Sequence, residues 1–142
     1  MSEKILLVDD EKEFLEAMSE RMTNRGMDVT TALSAKEAIE KVKNENFDAI
    51  IVDLLMPEMD GLEALETLKQ INADLQVILL TGNATVEKGI EAMKLGAMDL
   101  LEKPADLNNL TERIKKAKAR KMILVEKHTE EKIKKIISSK GW

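Results

Sequence analysis

Short apolar runs alternate along the chain with longer stretches in which apolar positions recur every three or four residues. The runs are Ile5-Leu6-Leu7-Val8, Ala49-Ile50-Ile51-Val52, Val77-Ile78-Leu79-Leu80 and Leu100-Leu101. Each has the composition of a strand buried on both faces, as in a parallel sheet covered by helices. A weaker run, Met27 to Ala32, alternates better and predicts an edge strand. The amphipathic stretches lie at approximately 12–25, 35–45, 61–72, 85–95 and 107–120. Ser34 with Glu37 and Asp60 with Glu63 have capping-box spacing, Asp106 precedes the last stretch, and Gly26 and Gly96 mark two helix ends. Five alternations of strand and helix predict an α/β fold, a doubly wound parallel sheet with right-handed crossovers and helices on both faces.

Ligands of such a fold gather at the carboxyl ends of its strands. The predicted strands bring Asp9-Asp10, Asp53, Thr81 and Lys103-Pro104 to that one edge. A buried unpaired carboxylate is costly, so Asp53, at the end of a run as apolar as Ala49 to Val52, must reach solvent or find a partner. Three crowded carboxylates either raise a pKa or hold a cation. Hard oxygen donors with no histidine or thiolate beside them favour Mg²⁺ or Mn²⁺. A lysine and a threonine hydroxyl at the same edge suit phosphate oxygens. Together the residues look built to accept a phosphoryl group, with an aspartate as nucleophile and a metal screening it. Singly, Asp9, Asp10 and Asp60 read as turn or cap residues, Thr81 as a loop cap and Lys103 as a solvated charge; jointly, their spacing favours the site. The nine methionines read as core filler, with Met56 and Met59 as the two that could instead be exposed contacts beside the site.

Composition narrows the picture further. A chain of 142 residues with 44% hydrophobic content suits one domain with a real core. The absence of cysteine excludes disulfides, thiolate zinc sites and cysteine nucleophiles. The start lacks the apolar run of a signal peptide, and no run approaches the roughly 20 residues of a membrane span, which predicts a cytoplasmic protein with no membrane association. The net charge of −5 hides an asymmetry: residues 107–142 carry eleven Lys/Arg against four Glu, +7, which leaves −12 for residues 1–106. The acidic body argues against nucleic acid as a partner; a basic tail could touch one, but its single aromatic, Trp142, leaves that reading on charge alone.

The segments "ILLVDDE", "DAIIVDLLMPEMDGLE", "VILLTGNATVE" and "AMKLGAMDLLEKP" resemble the receiver domain of bacterial two-component response regulators over roughly residues 4–120. Each motif alone is weak; all of them in order are a strong signal. The resemblance implies a flavodoxin-like sheet of order 2-1-3-4-5, with 1–120 as the receiver and 121–142 as a basic helical extension without a separate output domain. It implies that Asp53 is the phosphorylated residue, that Asp9, Asp10, Asp53 and the backbone carbonyl of Leu55 hold Mg²⁺ (or Mn²⁺), and that Thr81 is the switch hydroxyl. Lys103 then contacts the phosphoryl group, its bond to Pro104 is cis, and Gly82 keeps access to Asp53 open. The implied partners are a sensor histidine kinase or phosphotransfer protein upstream, and a downstream protein reading helix 85–95, strand 97–102 and helix 107–120. Catalysis is expected only of its own phosphorylation and slow dephosphorylation.

Three features depart from the family pattern. Leu100 stands where the family usually carries Tyr or Phe, which puts the coupling from Thr81 to the output surface in question. Leu55 and Asn83 flank the site where the family varies its hydrolysis rate; leucine cannot orient water, which predicts a long-lived acyl phosphate. The third departure is the tail. Met122, Val125, Thr129, Ile133 and Ile136 form an apolar stripe beyond that of Leu107, Leu110, Ile114 and Ala117, and Met122 to Val125 is apolar all round, as in a buried patch. This second stripe either folds back on the body or docks on a partner or a second copy, a homodimer through 107–137. Other readings are a fragment of a longer transcriptional regulator, a metal-dependent phosphatase, a nucleic acid binder acting through the tail, and a receiver that is never phosphorylated.

Overall fold

The computed structural model describes residues 2–139. Five strands, β1 (Lys4–Val8), β2 (Asp28–Ala32), β3 (Ala49–Asp53), β4 (Val77–Thr81) and β5 (Asp99–Glu102), alternate with five helices, α1 (Lys12–Asn24), α2 (Ala35–Asn44), α3 (Gly61–Ile71), α4 (Val86–Lys94) and α5 (Leu107–Ser139). All strand pairs are parallel, in the order β2-β1-β3-β4-β5. Every residue of β3 and β4 is buried, because α2, α3 and α4 cover one face of the sheet while α1 and α5 cover the other. That double cover is what their unbroken apolar runs require.

Local signals set the element ends. The Ser34, Asp60 and Thr85 side chains accept hydrogen bonds from the amides of Glu37, Glu63 and Lys88, so each satisfies an otherwise orphaned first-turn donor. Glu37 turns back not to the Ser34 amide but to that of Leu33, which donates to its carboxylate at 3.0 Å and holds its pKa below the ordinary value. At the other ends of α1 and α4, Gly26 and Gly96 take φ of 89° and 95°. Their amides and those of the next residues donate to Thr23 and Met22, and to Met93 and Ala92, in Schellman geometry that a side chain at φ above zero would strain.

The structure corrects four expectations. The run Leu100-Leu101 is not buried on both faces: β5 is the far edge strand, and its residues are half-buried or exposed. Of the methionines read as core filler, Met56 is buried and Met59 packs against the core, but Met93 and Met122 are 55% and 62% exposed. The stretch 107–120 does not end near 120 but continues as one helix of 33 residues. Met122 to Val125 is not a buried patch, since Met122 and Ile123 are 62% and 65% exposed and the second stripe does not fold back on the body. Trp142 lies outside the described residues. Among those residues, no helix is long and apolar enough to cross a membrane.

The β3–α3 turn carries the tightest approach in the chain. A Cβ added at Gly61 would lie 2.6 Å from the Leu54 Cα and 2.8 Å from the Asp53 carbonyl oxygen, both backbone, whereas one added at Gly82 would meet open space. Gly61→Ala should therefore lower the stability by about 1–3 kcal/mol, as overpacking does. Gly82→Ala should leave it within about 0.5 kcal/mol. Urea unfolding followed by circular dichroism measures both.

Candidate functional site

Strand register carries the site. Val8 pairs with Val52, so Asp9 and Asp53 leave adjacent strands at the same level; Asp53 pairs with Leu80, one residue before Thr81; Thr81 pairs with Glu102, one residue before Lys103. Four neighbouring strands thus end on one row of polar side chains. Among the described residues the buried polar or charged ones are Asp9, Asp53, Gln76 and Thr81, so three of the four belong to this row. Asp10 is exposed at its rim.

Asp9, Asp10 and Asp53 can each offer one carboxylate oxygen such that the three lie within 4.8 Å of one another. The Lys103 ammonium sits among them, 2.7 Å from Asp9 Oδ2 and 3.5 Å from Asp53 Oδ1. The other Asp9 oxygen accepts from the Glu11 amide at 2.9 Å. Burial, then the charge of Asp9, raise the Asp53 pKa above the ordinary 3.8, against the opposing pull of Lys103 and of the Leu55 amide. Burial works against the Lys103 charge, yet its hydrogen bond to Asp9 and the charges of Asp9, Asp53 and Glu11 outweigh that and raise its pKa. The carboxylates are thus under-neutralised, and the lysine is held charged to serve them.

The donor set fits a small hard cation. Octahedral Mg²⁺ at about 2.1 Å from each ligand needs oxygens roughly 3 to 4 Å apart, all from carboxylate, carbonyl or water, and the cluster's span is compatible with that.

Of the other residues singled out by the sequence, Thr81 is fully buried and its hydroxyl accepts from the Asn83 amide at 3.2 Å. Gly82 and Asn83 are exposed above it. Leu55 is 61% exposed, and its amide points at Asp53 Oδ1 over a long 3.4 Å. The Lys103–Pro104 peptide bond is cis. Leu100 is half-buried and packs under α4, where a Cβ on Gly89 would come within 4.0 Å of its Cδ2. His128 lies elsewhere, hydrogen-bonded through Nε2 to Asp74 at 2.7 Å.

Two contributors escaped the sequence reading. The Lys103 ammonium lies 4.3 Å from the centroid of the Phe14 ring, a cation–π contact that fixes it from the α1 side. An aromatic in the first turn after an acidic pair was the available signal. Glu58, in the loop after Asp53, has φ of 70° inside a tight turn closed by the Met59 amide on the Pro57 carbonyl at 2.8 Å. Nothing in "MPEMDG" demands that conformation of a glutamate.

The family model for the response regulator receiver domain matches residues 5–115. The transcriptional regulatory protein ZraR of Escherichia coli K12 is 36% identical over 115 residues, which are 81% of this chain and 26% of that protein. The response regulator MprA of Mycobacterium ulcerans is 33% identical over 115 residues, 81% of this chain and 50% of that one. The chain therefore spans between a quarter and a half of the length of these relatives. Among solved structures, a response regulator receiver domain protein from Clostridium thermocellum superposes with a TM-score of 0.82 at 33% identity, covering 87% of this chain and 99% of that one. The sheet order agrees with these likenesses, and the chain belongs to the receiver-domain family of two-component response regulators.

Proposed function

We propose that the chain is a phosphoacceptor switch: Asp53 takes a phosphoryl group from a phosphohistidine of a sensor kinase or phosphotransfer protein. The observation that carries this is a nearly buried carboxylate of raised pKa, flanked by an ammonium and two further carboxylates, at a strand end open through Gly82. An ionised Asp53 oxygen attacks phosphorus, the O–P bond forms as the N–P bond breaks, and the leaving imidazole takes up a proton. Asp9, Asp10, Asp53 and the Leu55 carbonyl would hold Mg²⁺, which supplies positive charge against the phosphoryl oxygens. Lys103, already poised at Asp53, turns from carboxylate to phosphoryl oxygen, and the Thr81 hydroxyl donates to another. The gain of charge and acceptors on Asp53 then favours a different arrangement of the β4–α4 loop.

The output face consists of α4, β5 and the first part of α5, where Val86, Ile90 and Met93 stand exposed on α4. Leu100 offers volume but no polar tip there, so coupling runs through its packing under α4. The name of ZraR, a transcriptional regulatory protein of which the match covers 26%, supports a second reading, in which this receiver is the regulatory part of a longer transcriptional regulator.

Incubation with Mg²⁺ and a small phosphodonor should add one phosphoryl mass to the parent and none to Asp53→Asn on intact-mass analysis; a labelled variant or an unlabelled parent overturns the assignment. Because Leu55 presents no polar group to water, Leu55→Asn should lose phosphate faster than the parent, read as decay of the labelled species. Ionised Asp53 opposes folding. Its raised pKa means that this cost is complete above the folded-state pKa and fades as pH falls through that value toward the ordinary 3.8. Without metal, Asp53→Asn should thus melt above the parent at pH 7.5, and the difference should shrink toward pH 4.

A further inference from the structure

The Lys103 side chain is held at both ends, but by partners of different kinds. At its root, the Lys103 amide donates to the Thr81 carbonyl at 2.7 Å. At its tip, the ammonium meets Asp9 Oδ2 at 2.7 Å, Asp53 Oδ1 at 3.5 Å and the ring of Phe14, whose centroid lies 4.3 Å away. Both carboxylates belong to the acidic trio that can offer oxygens to one cation, and the ring does not. Both oxygens of Asp9 are already engaged, one by the Glu11 amide at 2.9 Å and the other by Lys103. A divalent cation on that trio therefore competes with Lys103 for Asp9, because like charges on one carboxylate repel. The ammonium rides on a flexible four-carbon stem, and the charge of exposed Glu11, on the solvent side, already acts on it. Released from Asp9 and otherwise unrestrained, it would swing outward.

Phe14 is placed to prevent that. The bond from the Glu11 amide to Asp9 fixes the start of α1 beside the site, and Phe14 follows in the first turn of that helix. The ring is half-buried and packs against the core cluster that includes Leu15, Leu110 and Ile114, so the core sets its place whatever the carboxylates bind. An aromatic face attracts a cation through its quadrupole, more strongly where water is excluded. It is no ligand for a hard cation such as Mg²⁺, which takes oxygen donors. We infer that Phe14 is a positioning residue for phosphoryl transfer: its ring keeps the Lys103 ammonium beside Asp53 when Asp9 passes to a cation, ready for the phosphoryl oxygens. The inference rests on the phosphoacceptor reading of Asp53. It differs from a packing role, which any apolar side chain of similar volume would fill, because only an aromatic face holds the charge.

The chain has three aromatic residues, Phe14, Phe47 and Trp142, so protons shifted by a ring are few and readily assigned. In NMR spectra of the metal-free parent and of Phe14→Tyr, the Lys103 ε-methylene protons should lie upfield of those of an exposed lysine. In Phe14→Leu they should take the ordinary position. Adding Mg²⁺ alone to the parent should leave them upfield; this titration needs no variant, so it decides even if Phe14→Leu does not fold. Lys4, whose ammonium lies 5.5 Å from the Phe47 ring centroid at the other end of β1, is the internal control that Mg²⁺ should not affect. With saturating Mg²⁺ and a small phosphodonor, Phe14→Leu should be labelled about fivefold more slowly than the parent, the size of a partly desolvated cation–π contact. Phe14→Tyr should restore the parent rate. Return of the Lys103 protons to the ordinary position on adding Mg²⁺, a Phe14→Leu rate equal to the parent's, or a Phe14→Tyr rate as low as that of Phe14→Leu would each overturn the inference alone. A parent that takes no phosphoryl group overturns the phosphoacceptor reading, and the inference with it.

Discussion

The concentration of negative charge at the carboxyl edge of the sheet is the constraint around which the rest is arranged. Two unit charges no more than 4.8 Å apart repel by at least about 3 kcal/mol at an effective dielectric constant of 20, and this edge holds three carboxylates within that reach, two of them nearly out of water. Lys103 answers part of that repulsion by lying between Asp9 and Asp53, with the Phe14 ring against its ammonium from the α1 side. The remaining deficit is visible in the raised Asp53 pKa. Such a site has affinity for whatever cation or charge-redistributing group the solvent offers, and that property makes it chemically responsive.

Maintaining that arrangement requires a frame that cannot relax the repulsion by moving apart. The parallel sheet supplies it. β3 and β4 are buried on both faces, so Asp53 and Thr81 extend from strands that have no room to shift, and Gly61 lets α3 begin directly against the backbone of Asp53 and Leu54. What flexibility exists lies in the exposed loop above, from Gly82 to Thr85, whereas the loop after Asp53 is pinned to the core by Met56 and Met59. A rigid floor under an adjustable loop is the combination a switch needs.

Much of this was legible in the residues because it obeys local rules. Strand runs, the Ser34 and Asp60 caps and the Gly26 and Gly96 stops depend on neighbours a few positions away. The polar row followed from strand ends alone. Leu100-Leu101 misled because burial of a strand on both faces depends on its place in the sheet, and a two-residue run does not record whether another strand lies beyond it. Met122 to Val125 misled for a related reason: all-round hydrophobicity marks a demand for burial without showing that this chain satisfies it. The Lys103–Phe14 contact, the Glu58 backbone and the contacts of Lys121 with the Phe47 carbonyl and of His128 with Asp74 join distant segments or arise from loop closure, which no periodicity encodes.

The two ends of the molecule are joined by a single mechanical element. α5 begins four residues after Lys103, with the Asp106 carboxylate accepting from the Asn108 amide at its start, and extends about 50 Å at 1.5 Å per residue. Its first half is bound to the body by area, through Leu110, Ile114 and Ala117, and by the Arg113–Asp99 pair at 3.1 Å. Its middle is bound by a few directional polar contacts instead: Lys121 donates to the Phe47 carbonyl at 3.0 Å and lies 3.6 Å from Asp48, and His128 reaches Asp74. Area-driven contact tolerates small rotations, whereas a hydrogen bond to one carbonyl and one carboxylate does not. These contacts therefore set the angle at which the distal part of the helix leaves the body, and a displacement of the segment around Lys103 reaches that part only as a rotation or tilt of the whole helix about Lys121 and His128.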